Sequence, residues 1–79
     1  MLTAKKHLNL DTSVLRVFAL ILREMQKRGV CDFEKLRAFV VRRVGTDGDI
    51  AFLPALDLLY LLGRAEYHLK NDTIEYRAD

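Results

Sequence analysis

Few residues of this chain have types and spacing that lend themselves to chemistry. Cys31 is its one cysteine, so no internal disulfide and no cysteine-based zinc site is possible. A thiolate nucleophile would need a basic neighbour, and the two histidines, His7 and His68, lie far apart in the sequence. Cys31 therefore reads as a small buried hydrophobe in a reducing compartment. His68 is expected on the outward face of a hairpin, in solvent. Asp47, Asp49 and Asp57 invite a metal reading, but the further ligands of a calcium loop are missing. Capping and turn chemistry account for the first two. Gly45-Thr46-Asp47-Gly48 has two glycines but no following lysine, so it is not a phosphate-binding loop. No catalytic residue, no cofactor site, no metal site and no small-molecule substrate is expected.

The elements that must position these residues follow from size and pattern. The chain has 79 residues, of which 51 % are hydrophobic. A folded chain of this length keeps roughly 4,900 Å² exposed of about 13,000 Å², hiding about 63 % of its surface. So small an interior leaves apolar surface for a partner. No apolar run is long enough to span a bilayer. Lys5, Lys6 and His7 are not followed by the apolar core of a signal peptide. The expected compartment is the cytoplasm, with no membrane partner. Thirteen basic against 11 acidic residues give a net charge of +2, too small to argue nucleic-acid binding from bulk charge.

Residues 1–10 read as an N-terminal arm and 11–79 as a single domain. Asp11, Thr12 and Ser13 are good N-caps for a first helix. Val14, Leu15, Phe18, Ile21, Leu22 and Met25 form its apolar face, and Gly29 ends it. Val30 and Cys31 make a short extended step. Asp32 caps a second helix to about Val44, with Phe33, Leu36, Val40 and Val44 as its seam and Phe39 beside it. Residues 45–49 read as a loop. A third helix follows an irregular entry, regular from about Phe52 or Leu53 because of Pro54, and stops at Gly63. In the tail, Ala65, Tyr67 and Leu69 alternate with Glu66 and His68. Beyond Asn71-Asp72, Ile74 and Tyr76 alternate with Glu75 and Arg77, a hairpin pattern. The expected fold is α+β, mostly α: a winged-helix-like domain of three helices and a C-terminal β-hairpin.

In a DNA-reading winged helix, the third helix presents hydrogen-bonding side chains to base edges. Residues 50–62 here read IAFLPALDLLYLL, with no basic residue, amide, Ser or Thr. Phe52, Leu53, Leu56, Leu59 and Tyr60 are assigned to its inner face. Ala51, Ala55, Leu58, Leu61 and Leu62 fall on the far side. Either the hairpin and arm fold over that side, or it is a partner interface, with Asp57 at its rim. For Asp57 the alternatives are an ordinary surface interaction and a charged contact to a partner Arg or Lys. Arg16, Arg23 and Lys27 form a basic stripe on the first helix, and Lys35 and Arg42 a pair on the second. These are solvated faces, phosphate contacts that read no sequence, or contacts to an acidic partner.

The string from Phe52 to Gly63 carries a family resemblance. Phe52, Ala55, Leu56, Asp57, Leu59, Tyr60, Leu62 and Gly63, followed by a short Tyr/Ile-bearing hairpin, resemble the small middle components of bacterial ABC-three component systems. The polar start at 11–13, leading into Val14-Leu15 and Ala19–Leu22, also fits, so the likeness runs over about residues 7–77. Arg64-Ala65 departs from the aliphatic residue of the pattern, and the 45–49 linker is unusually charged. The resemblance implies a winged-helix-like adaptor encoded between an effector and an SMC- or Rad50-like ATPase, as in Lamassu-type antiphage defence. It would join the ATPase subunit to an effector subunit, often a nuclease, without catalysis of its own, and DNA would be met through the assembled complex. The alternative is a winged-helix DNA-binding repressor or antitoxin, which the composition of the third helix disfavours.

Overall fold

The computed structural model describes residues 12–78. The expected arm, and Asp11 as a cap, lie outside the described residues. The order is α1 (Thr12–Arg28), β1 (Val30–Asp32), α2 (Phe33–Val44), α3 (Thr46–Leu61), β2 (Ala65–His68) and β3 (Thr73–Tyr76). This is the mostly helical α+β class expected, with three helices and a C-terminal hairpin.

The apolar periodicity of α1 buries Val17, Ile21 and Met25 completely. Val14, Phe18 and Leu22 pack against them. Leu15 was expected among this set but is about half exposed, and Val17 takes its place. The exchange turns the inner face by roughly 30° about the helix axis, well short of the ~100° of one residue. Asp32 caps α2 as expected: its carboxylate accepts the Lys35 backbone N–H at 3.1 Å. Leu36 and Val40 are the buried residues of α2.

The link from α2 to α3 is shorter than the expected loop. Only Gly45 interrupts the two helices, with φ 93° and its N–H donating to the Val41 carbonyl at 2.7 Å. The third helix then starts at Thr46, not near Phe52, and Pro54 lies inside it. Pro54 removes the N–H that would bond to the Ile50 carbonyl. Both residues are exposed, so water can reach that carbonyl. Gly63 closes α3 in the left-handed region at φ 73°. Its N–H donates to the Tyr60 carbonyl at 3.0 Å and the Arg64 N–H donates to the Leu59 carbonyl at 2.8 Å. Those two bonds are the Schellman pattern that glycine permits.

The three strands form one antiparallel sheet in the order β1-β3-β2. Ile74 of β3 lies opposite both Cys31 and Tyr67. It is fully buried, and Cys31 is 6 % exposed. Phe33 joins helix layer to sheet, edge-on to Phe52 at 5.5 Å and to Tyr67 at 6.0 Å. Leu69, expected to continue the inner face of β2, sits in the turn and is exposed.

Removal of Phe52, fully buried at the centre of these contacts, should cost about 3–5 kcal/mol as Phe52→Ala, measured by urea unfolding. Pro54→Ala should act in the opposite sense. Proline is about 3 kcal/mol worse than alanine inside a helix, and part of that gain is returned by a less restricted unfolded chain. A net rise of at least about 1 kcal/mol, or roughly 4–8 °C in Tm, is the expected reading by thermal denaturation.

Candidate interaction site on the third helix

At about 100° per residue, the buried residues of α3, namely Gly48, Ala51, Phe52, Ala55, Leu56 and Leu59, all fall on one side. Ala51 is 3 % exposed and Ala55 is fully buried. Both had been assigned to the far side, and the structure corrects this: they lie in the chain's own core. Leu53, expected inside, is instead 57 % exposed. The helix is turned by about 60° from the expected orientation at that residue spacing.

The reason is the size of the inward residues. α3 packs most extensively on α1 and next on α2. Gly48, Ala51 and Ala55 are small and buried, Gly48 lying against α2, and Phe52, Leu56 and Leu59 fill the core beside them. A Cβ placed on Gly48 would meet the Val44 Cβ at 3.0 Å and the Val40 carbonyl oxygen at 3.1 Å. Neither of those atoms is the end of a flexible side chain. A reading that ranks residues by hydrophobicity puts leucine inside before alanine; close helix packing reverses that order.

The outer face is correspondingly apolar. Ile50 is 75 % exposed, Leu61 82 % and Leu62 60 %. Ile50, Leu53, Pro54, Asp57 and Leu61 form a stripe about 100° wide and about 16 Å long, diametrically opposite the buried face. Leu58 is half-buried at its edge, and Leu62 follows the helix. Of the residues the sequence assigns to the far side, Asp57, Leu61 and Leu62 are exposed and Leu58 is half-buried, while the exposure of Ile50 and Leu53 is not anticipated. Their spacing of three and eleven residues was the available signal, obscured by the assumption that the helix became regular only near Phe52. Asp57 makes no ion pair among the described residues. Its charge adds to burial in raising the Tyr60 phenol above its usual value, burial being the larger cause.

Apart from the Asp57 carboxylate the stripe carries no hydrogen-bonding side chain, and Asp47, Asp49 and Asp57 are the ionised side chains of α3. Asp49 is bound to Arg37 of α2 at 2.8 Å. Such a helix would be repelled by phosphate. Arg16, Arg23, Lys27, Lys35 and Arg42 all lie on α1 and α2 and are exposed.

The other potential chemistry is modest. His68, expected free in solvent, is only partly exposed and is 2.9 Å from Glu75. Glu66, His68 and Glu75 bring ligand atoms within 4.8 Å of one another. The geometry has a simpler cause. Glu66 and Glu75 are directly opposed across the strands, which is repulsive. Arg77 meets Glu66 at 2.8 Å and His68 meets Glu75, so each carboxylate has its own partner. Cys31 is buried as expected, and burial, followed by the charge of Glu24, pushes its thiol above the usual value. That environment suppresses the nucleophilic thiolate.

Comparison with known proteins places this apolar helix in context. The family model for ABC-three component (ABC-3C) system Middle Component 8 matches residues 29–77. The chain belongs to this family. The match takes in β1, α2, α3 and the hairpin, and so contains the whole outer stripe of the middle component. No curated protein and no solved structure matches the chain. A middle component acts alongside the other members of a three-component system. Among its described residues no helix is long and apolar enough to cross a membrane.

The thiol environment gives a pH prediction. Cys31, Tyr60 and Tyr67 all have raised values, the last chiefly because its hydroxyl donates to Asp72. A raised value in the folded state contributes stability that is full below the unfolded value and lost as pH rises. The urea midpoint should therefore fall between about pH 8.5 and 11. In the native chain, Cys31 should react with a thiol-specific disulfide reagent at least about tenfold more slowly than in the urea-unfolded chain at pH 8.

Proposed function

We propose that this middle component is a non-catalytic, winged-helix-like adaptor that holds an SMC- or Rad50-like ATPase and a nuclease-type effector in one Lamassu-type antiphage complex. The observation that carries the reading is the outer stripe of α3. Each large aliphatic residue left in water forgoes about 1.5–3 kcal/mol relative to burial. Ile50, Leu53 and Leu61 are all more than half exposed along one side of the helix, and Leu62, just past its end, is more than half exposed as well. A set of that size suits a protein partner. Asp57, in the middle of the stripe, offers a charge-assisted bond to an Arg or Lys of that partner. The partner side would then be a hydrophobic groove with one cation, and the contact a helix-in-groove one.

A sequence-reading repressor is poorly supported by the same helix. Its outer face has apolar side chains and acids where base recognition needs donors and acceptors.

Co-expression with the products of the two adjacent genes tests the reading. A tagged wild-type chain should carry both through size-exclusion chromatography. Leu53→Ser combined with Leu61→Ser should release at least one of them. Because both positions are exposed, the melting temperature of the isolated variant should stay within about 3 °C of wild type. Retention of both neighbours by the folded double variant would refute the assignment. Asp57→Ala should weaken assembly without lowering the melting temperature.

A further inference from the structure

The cations of α1 and α2 line three adjoining hollows, the first two sharing Glu24, Arg28 and Phe39 and the last two sharing Leu20, Arg23 and Arg43, which together run as one groove. Arg16, Arg23 and Lys27 line it from α1, and Lys35, Arg42 and Arg43 from α2. Arg43 had not been singled out in the sequence. It reaches the set because its guanidinium lies over Phe39, 5.5 Å from the ring centroid, at the edge of α2 nearest α1. None of these six cations is paired with a carboxylate among the described residues. The groove's two acids are already engaged. Glu24 pairs with Arg28, also in the groove, at 2.5 Å, and Asp32 accepts the N–H that caps α2.

Seven cations and two carboxylates give the groove a charge of +5, whereas the whole chain carries +2. The rest of the molecule therefore sums to −3. So uneven a distribution makes a directed positive field from a nearly neutral protein.

We propose that this groove seats the phosphate backbone of duplex DNA without reading its sequence. Three observations select that partner over an acidic protein segment. First, the groove's charges stand at the surface, whereas its larger apolar lining residues other than Val30, namely Leu20, Cys31, Leu36 and Phe39, are buried or half-buried. Of the large exposed hydrophobic residues, only Val30 lines it. Leu20 is half-buried and Phe39 lies beneath Arg43. A protein interface needs buried apolar or aromatic anchors, and this chain keeps those on α3. Second, five of the seven cations are arginines, whose planar fork suits phosphate oxygens. Third, the α1 cations advance along the helix by about 10 Å and then 6 Å. A duplex presents a charge every ~1.7 Å along its axis, so it can meet this spacing in any register. No base-reading set accompanies them. Gln26, the one amide lining the groove, donates to the Tyr76 hydroxyl at 3.2 Å.

The groove and the α3 stripe are independent. Arg16, Leu20, Arg23 and Lys27 lie opposite the α1 residues that contact the core, whereas the stripe lies on the side of α3 facing away from that core.

The test is fluorescence anisotropy of the full chain with a labelled duplex of about 20 base pairs, between about 50 and 200 mM KCl. The wild-type chain should bind, with log K falling against log salt at a slope of about −2.7 or steeper, as for three or more neutralised phosphates. A second duplex of unrelated sequence should bind within about threefold, since phosphate contacts carry no sequence information. The combined Arg16→Gln, Arg23→Gln and Lys27→Gln variant should bind at least about tenfold more weakly and flatten the slope by about 2.7. Arg37→Gln, Arg64→Gln and Lys70→Gln together remove equal charge outside the groove and should change affinity by less than about threefold. Circular-dichroism melts establish that each variant folds, and single Lys27→Gln, which should flatten the slope by about 0.9, replaces any that does not. Absence of binding at the lowest salt overturns the proposal. So does an equal loss in the control variant, which would make the binding a matter of net charge. Tighter competition by poly-L-glutamate than by unlabelled duplex also overturns it, in favour of an acidic protein.

Discussion

The structure depends on how closely α3 can approach α1 and α2. A domain with one helical layer and one small sheet can cover only one side of its most apolar helix. The side it covers is the one with the smallest residues. Gly48 admits the backbone and Cβ of α2, Ala51 and Ala55 are buried on the same side, and Phe52, Leu56 and Leu59 fill the core beside them. Dense packing rewards shape before hydrophobicity. With that side inside, Ile50, Leu53 and Leu61 must point outward, and their exposure follows from packing inside the chain. Pro54 then falls on the solvent side, which is where a helix can lose a backbone hydrogen bond and recover it from water.

The same approach explains the one-residue link at Gly45. A longer loop would let the start of α3 move away from the end of α2, opening space at Gly48. The left-handed glycine instead turns the chain within a single residue. The Val41 carbonyl is satisfied by the Gly45 N–H, and the Gly45 carbonyl by the Gly48 N–H at 2.9 Å. The Arg37–Asp49 ion pair crosses the same corner, where both groups are well exposed and their pairing is worth little on its own.

Element order was legible from local signals. Asp32 as a cap, Gly29 and Gly63 as stops, and the alternation on each side of Asn71-Asp72 each act over a few residues, so the sequence displays them directly. The orientation of α3 was not, because a helix apolar on every side has no amphipathic signal to set its rotation. Its rotation is settled by which residues let other helices close, which is a tertiary property. The start of α3 was hidden for a related reason. The sequence 45–49 is rich in turn-forming residues, and the cost of helical Gly48 is met by its close packing on α2, while that of Pro54 is eased by solvent at the Ile50 carbonyl, neither of which composition reveals. In the candidate sites, the α1 stripe was readable from spacing within one helix. Its extension through Arg43 was not, since it depends on the packing of α2 beside α1.

The two surfaces differ in the force each uses, and that difference bears on what an adaptor of this size can do. At about 0.05–0.15 kcal/mol per residue, a domain of this length holds only a few to about 12 kcal/mol of stability. A partner that covers the α3 stripe binds the folded state and not the unfolded one, so assembly also stabilises the fold. That coupling is largely insensitive to salt, because it comes from apolar burial. The cationic groove acts differently. Bringing its seven cations together costs electrostatic repulsion in the isolated chain, and a polyanion relieves that repulsion while releasing its own counterions. A ligand there also stabilises the folded chain, but by an amount that shrinks as salt rises. With the apolar contact on one side of the helical layer and the charged contact on the other, neither ligand needs to displace the other. At that stability the isolated chain is already almost wholly folded, so occupancy of one site leaves the apparent affinity of the other nearly unchanged, and two ligands on these surfaces would be joined by geometry, each through its own force.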